Sequence, residues 1–158
     1  MIVRNLNLWF FVFMPAQHPL NDLLCLDLYA TSRAVIKAYR PFLDPLGLTY
    51  PQFVVLVALW ETDSLTVKDL SERMDLDSGT LSPLLKRLEA AGLITRTRNS
   101  SDEREVIITL TRDGHALKNQ IKAVFEGIGC LFDMNMNEVR DLQRTLRTIR
   151  KKMDSDQE

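Results

Sequence analysis

Two groups of residues in this chain could do chemistry. Cys25 could react with an oxidant, and Ser78, Gly79, Thr80, Ser82, Pro83, Lys86 and Arg87 could meet phosphates and base edges. A cysteine is nucleophilic only as its thiolate, which needs donors beside it. All three tyrosines, Tyr29, Tyr39 and Tyr50, follow Cys25 within one short stretch, and a phenolic hydroxyl can donate to sulfur without bringing a full charge. Tyr29 stands one helical turn beyond Cys25 on the same face. Cys25 also sits among leucines, where a cysteine can equally be a small inert hydrophobe, and a buried tyrosine finds some polar partner in any core. The second cysteine is Cys130. Two cysteines in 158 residues do not make a disulfide framework; a reducing, intracellular setting is the default, and there such a pair is more often redox-active than structural. His18 and His115 are far apart with no cysteine spacing beside them, so no metal and no other cofactor is expected.

The second group opens a short helix, where polar side chains or bare backbone can cap free amides or meet a phosphate. Leu81, Leu84, Leu85, Leu88 and Ala91 recur at helical spacing and are expected inward, leaving Thr80, Lys86 and Arg87 outward. Gly92 stops the helix. Ile94 to Thr97 and Val106 to Leu110 are β-branched runs separated by the turn-prone RNSSDER, a two-stranded ribbon with a charged tip. Upstream, Thr66 caps VKDLSERM, whose Val67, Leu70 and Met74 share one face, and LDSG connects the two helices. That is a helix-turn-helix with a wing, its second helix suited to a major groove. The plainer alternative, a structural helix pair beside a hairpin, leaves the basic wing without a reason.

Composition agrees with one ordinary globular domain: 46% hydrophobic and 26% charged, net charge −1. A uniformly basic coat is excluded, but from Ser78 to Arg104 five cations (Lys86, Arg87, Arg96, Arg98, Arg104) face three acids (Glu89, Asp102, Glu103), a local +2. DNA binding should therefore be salt-dependent. Leu20 to Tyr39 reads as a long helix with Leu20, Leu23, Leu24, Leu28, Ala34, Val35 and Ala38 in its stripe, ended by Pro41. A second helix starts near Pro51 and runs to Glu61. Thr111 and Asp113 cap a helix reaching about Leu131, and a last one begins at Asn137 with Val139, Leu142, Leu146, Ile149 and Met153 in a narrow seam. This apolar surface exceeds what one small module needs, which implies a homodimer and hence an inverted-repeat target. The apolar LWFFVFM near the front is too short for a membrane span, and residues 1–13 are read as an extension ahead of a start at Met14.

The pattern LDSGTLSPLLKRLEAAGLI, followed by a wing carrying D-x-R at Asp102 and Arg104 and flanked by end helices, resembles the MarR family of winged-helix repressors over about Leu20 to Lys152. NDLLCLDLYATSRAVIKAYRPFLDPLGLTYPQF looks specifically like the organic-hydroperoxide-sensing (OhrR) branch: a cysteine early in the first helix, then YAxSR, AYRP and LTYPQ. The resemblance implies a mainly α fold with a small β-wing, a single domain over 14–158, dimerisation helices at 20–40 and 111–152 and a winged helix-turn-helix at 51–110. It implies a cytoplasmic, non-enzymatic repressor whose inducer is an organic hydroperoxide. Tyr39 and Tyr50 would donate to the partner subunit's sulfur, with Tyr29 close by. Cys130 near the end of the fifth helix resembles the two-cysteine subtype, in which a Cys25 sulfenic acid condenses with the partner subunit's Cys130; Gly127 and Gly129 beside it weaken that helix. On the DNA side it implies groove contacts by Ser78, Gly79, Thr80, Ser82, Pro83 and Lys86 with Arg87 at the edge. Arg96 and Arg98 would clamp phosphates, and Arg104, oriented by Asp102, would enter the minor groove. The alternatives are a repressor released by a small phenolic ligand with Cys25 passive, and a thiol peroxidase, in which the wing would have no use.

Overall fold

The computed structural model describes residues 20–99, 102, 105–129 and 132–155, with backbone alone at 21, 122, 123 and 126. The readings made for residues 1–13, Cys130, Leu131, Glu103 and Arg104 lie outside the described residues. In chain order the elements are α1 (Leu24–Leu43), α2 (Tyr50–Glu61), β1 (Leu65–Thr66), α3 (Val67–Met74), α4 (Ser78–Ala90), β2 (Ile94–Arg98), β3 (Val106–Leu110), α5 (Arg112–Gly129) and α6 (Met136–Ser155). The chain parts into two compact units after Val124.

The core of the first unit is built on α2, whose Phe53, Val55, Leu56 and Leu59 are buried. Around it pack α1, α3 and α4. From α3 comes Leu70 and from α4 come Leu81, Leu85 and Leu88, all fully buried. A Leu→Ala change at such a position costs about 2 to 5 kcal/mol. The sheet order is β1-β3-β2, antiparallel throughout. In register, Ile94 faces Leu110, Arg96 faces Ile108 and Arg98 faces Val106, while Leu65 of β1 faces Ile108 from the other side. The two-residue β1 is too short to leave an alternation in the sequence.

Local hydrogen bonds explain most of the boundaries. Thr66 Oγ1 accepts from the Asp69 amide at 3.0 Å while Asp69 Oδ2 accepts from the Thr66 amide and hydroxyl, the reciprocal cap expected of Thr66. After α4, Gly92 at φ 71° lets its own amide reach Glu89 and the Leu93 amide reach Leu88, so two terminal carbonyls are satisfied. Ala91 is the cap residue of that turn and is exposed, not inward as its spacing suggests, because the helical period no longer holds there.

Two other expectations are corrected. The first helix starts at Leu24, after a short 3-10 turn at Leu20–Asp22, and it runs through Pro41 to Leu43. Proline removes one amide bond, but Leu43 is 1% exposed and its burial draws the last turn into the core. Gly47 at φ 67° then closes the turn that follows. The last helix begins at Met136, because Asn135 caps it: its Oδ1 accepts from the Asn137 and Glu138 amides, and Glu138 returns a bond to the Asn135 amide.

Among the described residues, most of the apolar surface left open lies on two helices. In α1 only Leu43 is buried, and Leu24, Leu26 and Tyr29 are exposed. In α6 no residue is buried; Leu142, Leu146 and Met153 of the expected seam are exposed, and Val139 and Ile149 are half-buried.

Candidate thiol sensor and nucleic-acid interface

Cys25 lies in the first turn of α1 with its thiol free and exposed. Tyr29, one turn on, is also exposed; the Arg33 guanidinium lies 5.4 Å from its ring centroid and Arg33 Nη1 donates to its hydroxyl at 3.4 Å. The phenol is thus an acceptor toward Arg33 and retains its own proton for another acceptor. Residue types alone did not single out Arg33, although the i, i+4 spacing to Tyr29 was visible.

Tyr39 and Tyr50 meet at the far end of α1. Their ring centroids are 4.9 Å apart, edge to face, and both rings contact Phe53. Burial pushes the Tyr39 phenol above its ordinary value and the neighbouring Tyr50 adds to the shift, so Tyr39 stays a hydroxyl donor across the physiological range. The structure therefore brings Tyr39 and Tyr50 together and leaves Tyr29 with Cys25.

On α4, Thr80, Pro83, Lys86 and Arg87 are exposed as expected, Gly79 and Ser78 stand exposed at the helix start, and Ser82 is half-buried. The true cap is Asp77, one residue upstream of the predicted group: its carboxylate accepts from the Thr80 amide and the Thr80 hydroxyl, both at 2.8 Å. Ser82 Oγ donates to the Ser78 carbonyl at 2.7 Å. Acid at this helix start answers the Thr80 amide that a phosphate would otherwise use.

The wing closes through Asn99, whose amide and side chain both reach Glu105, and through the Glu105 amide donating to the Asp102 carbonyl. Alternation along β2 puts Arg96 on the same face as the buried Ile94. Arg96 is accordingly part-buried and pairs with Glu89 of α4 at 3.9 Å, its Nε without a hydrogen-bond partner among the described residues. Arg98, nearer the tip, is exposed. To clamp a phosphate, Arg96 would first have to leave Glu89.

A joint that residue types did not announce holds α4 to the start of α5. The Thr111 amide donates to Leu93 O at 3.0 Å and its hydroxyl to Gly92 O at 2.6 Å. Trp60 Nε1 donates to Gly114 O at 2.9 Å, Lys118 Nζ to Trp60 O at 3.0 Å, and His115 Nε2 lies 3.2 Å from Asp63.

Two caps carry a pH prediction. Asp69 and Asp77 are both held below the ordinary carboxyl range, Asp69 by bonds from the Thr66 hydroxyl and amide, Asp77 by bonds from the Thr80 hydroxyl and amide. A lowered folded-state value means the stabilisation is complete above the unfolded value near pH 4 and disappears as pH falls through the folded values. Thermal melts of the protein should therefore lose stability below about pH 4, and the Asp77→Ala variant should show a smaller acid-induced fall.

Among the described residues, no group of histidine, cysteine, aspartate and glutamate could hold a metal ion, and no single helix is long and apolar enough to cross a membrane.

Residues 37–121 match the family model described as transcriptional regulator SarA/Rot. The chain is 46% identical over 130 residues to the organic hydroperoxide resistance transcriptional regulator of Bacillus subtilis (strain 168), covering 82% of this chain and 88% of that protein. It is similar to reduced AbfR bound to DNA, with a TM-score of 0.74 at 35% identity over 85% of this chain and 92% of that one. It is also similar to disulfide-formed AbfR, with a TM-score of 0.61 at 38% identity over 80% of this chain and 88% of that one.

Proposed function

The chain belongs to the MarR family of winged-helix transcriptional regulators, on its organic-hydroperoxide-regulator branch, and from that premise we propose a cytoplasmic homodimeric repressor that leaves its operator when an organic hydroperoxide oxidises Cys25. The observation that supports this most is the placement of an exposed thiol at the start of α1 and of Tyr39 near its other end, where Tyr39 packs on Tyr50 at the start of α2. Fourteen residues at about 1.5 Å each separate them by roughly 21 Å, so a chain cannot offer its own Tyr39 to its own Cys25. An antiparallel second copy laid on the open apolar stripe of α1 would bring the partner's Tyr39 and the partner's Tyr50 to the sulfur. Tyr29, already accepting from Arg33, can donate from the same side.

In the proposed reaction the Cys25 thiolate attacks the hydroperoxide O–O bond, giving the sulfenic acid and releasing an alcohol once a proton is taken up. The sulfenic acid then condenses with the thiol of the partner subunit's Cys130, forming the disulfide and releasing water. That bond needs α-carbons within about 7 Å, and any movement required to reach it is what would displace the DNA-reading helices. The exposed leucines that flank Cys25, Leu24 and Leu26, would favour an organic peroxide over hydrogen peroxide once a partner covers them.

The repressor reads DNA with α4 in the major groove, Lys86 and Arg87 on its outward side, and Arg98 on a phosphate. Arg98→Gln should lower the salt slope of binding by about one unit per contact without changing sequence preference. Arg104, by its place in the D-x-R pattern, is assigned to the minor groove, and Arg104→Gln should cost about 1 to 3 kcal/mol of affinity.

Band shifts on the DNA upstream of the protein's own gene test the whole reading. Reduced protein should bind, an organic hydroperoxide should release it, and hydrogen peroxide at equal concentration should do so poorly. Release by a phenol, with the oxidant without effect, would overturn the redox reading in favour of a ligand-induced repressor.

A further inference from the structure

Two hydroxyls on α4 have already given away their protons. Thr80 Oγ1 lies 2.8 Å from Asp77 Oδ2, and an ionised carboxylate only accepts. Ser82 Oγ lies 2.7 Å from the Ser78 carbonyl oxygen, which also only accepts. What Thr80 and Ser82 present outward is therefore lone pairs. Phosphate oxygens are acceptors too, so neither hydroxyl can bond one without first breaking the bond it has. In the major groove guanine shows only acceptors and thymine an acceptor and a methyl, whereas adenine N6 and cytosine N4 carry the donors.

We propose that Thr80 and Ser82 are specificity-determining residues that each accept from an exocyclic amino group of adenine or cytosine, not phosphate anchors. This rests on the DNA-reading role proposed above and narrows it. Helical spacing puts Ser82 on the same flank as Lys86 and Thr80 on the opposite flank with Arg87. One turn separates Ser82 from Lys86 and two turns separate Thr80 from Arg87, so the Ser82 flank sets an acceptor beside a cationic donor. Adenine, whose N6 amino group adjoins the N7 acceptor, complements the Ser82 and Lys86 pair most fully.

The test uses the full-length reduced protein. Duplexes are selected from a randomised pool, and the enriched sequence is remade with purine in place of single adenines or 2-pyrimidinone in place of single cytosines, removing only the amino group. Wild-type binding should weaken about 5- to 10-fold at one position per half-site for each hydroxyl, the worth of one hydrogen bond. Thr80→Val should be indifferent to that loss at its own position yet still respond at the Ser82 position, and Ser82→Ala the reverse; comparison with wild type cancels the effect of the analogue on the duplex itself. Thr80→Ser, which keeps the hydroxyl, should restore discrimination, and the salt slope should not change in any of them. Equal weakening of every duplex with a reduced salt slope would mean phosphate contacts and overturn the assignment, as would wild-type indifference to every amino deletion. A pool that yields no enriched duplex overturns the DNA-reading role itself.

Discussion

Cys25→Ser is expected to bind DNA within about twofold of wild type, as surface changes of this size usually do, and to be blind to organic hydroperoxide. Wild-type affinity should fall about 5- to 150-fold on oxidation, the range of ordinary coupling between two sites. The reason for so complete an effect is chemical: serine preserves shape and polarity at the first turn of α1 but is not oxidised by peroxides. Cys25 is exposed and makes no bond that the described fold depends on, so the variant should fold. Anisotropy titrations on a labelled operator, before and after oxidant, measure both quantities. If the serine variant were released like wild type, Cys25 would be passive and the trigger would lie elsewhere. Cys130→Ser in the same assay separates capping by the partner subunit from capping by a small thiol. The single-cysteine protein should then need an added thiol for lasting release.

Gly114→Ala should be the most damaging glycine-to-alanine change among the described residues, at about 3 kcal/mol. A Cβ built on Gly114 runs into the backbone oxygen of Leu93 and comes within 3.1 Å of Leu110 Cδ2. Leu93 O is itself the acceptor of the Thr111 amide, so relief by moving Leu93 loosens the bond that ties the end of α4 to the start of α5. Gly47 is the control: it needs a left-handed backbone, but a Cβ there meets nothing. Gly47→Ala should cost only about 1 to 2 kcal/mol, the price of that backbone conformation for an L-residue. Urea denaturation of the two variants compares them directly, and equal losses would show that the joint yields. Because the damage falls beside α4, Gly114→Ala should also weaken DNA binding by more than its loss of folded protein explains.

Much of this is legible in the sequence. Apolar residues three and four apart on VKDLSERM and on TLSPLLKRLEA, a threonine ahead of the first and a glycine behind the second state two short helices with one buried face each, and Leu70, Leu81, Leu85 and Leu88 are buried accordingly. What went unread was set by contacts between distant segments or by side chains serving their own backbone. By residue type Asp77 fits a connection as well as a cap, because aspartate suits turns and caps equally; the difference lies in whether an amide three residues on is within reach. Arg96 and Arg98 look alike as cations and share a face of β2, but only Arg96, nearer the buried Ile94, stands against Glu89 of α4, while Arg98 at the tip is exposed. Pro41 argued for a helix end, and the burial of Leu43 outweighed it.

The sequence by itself determined the helices, their buried faces and the ribbon, since these follow from periodicity and from residues that start and stop helices within a few positions of one another. It also placed Cys25 and the three phenols in one segment. The tertiary structure alone decided which phenols meet, which hydroxyls have spent their protons, and that Gly114 lies against Leu93. Such facts depend on segments brought together from different elements, as Gly114 is to Leu93, or on the rotation of one side chain, and local spacing carries no record of either.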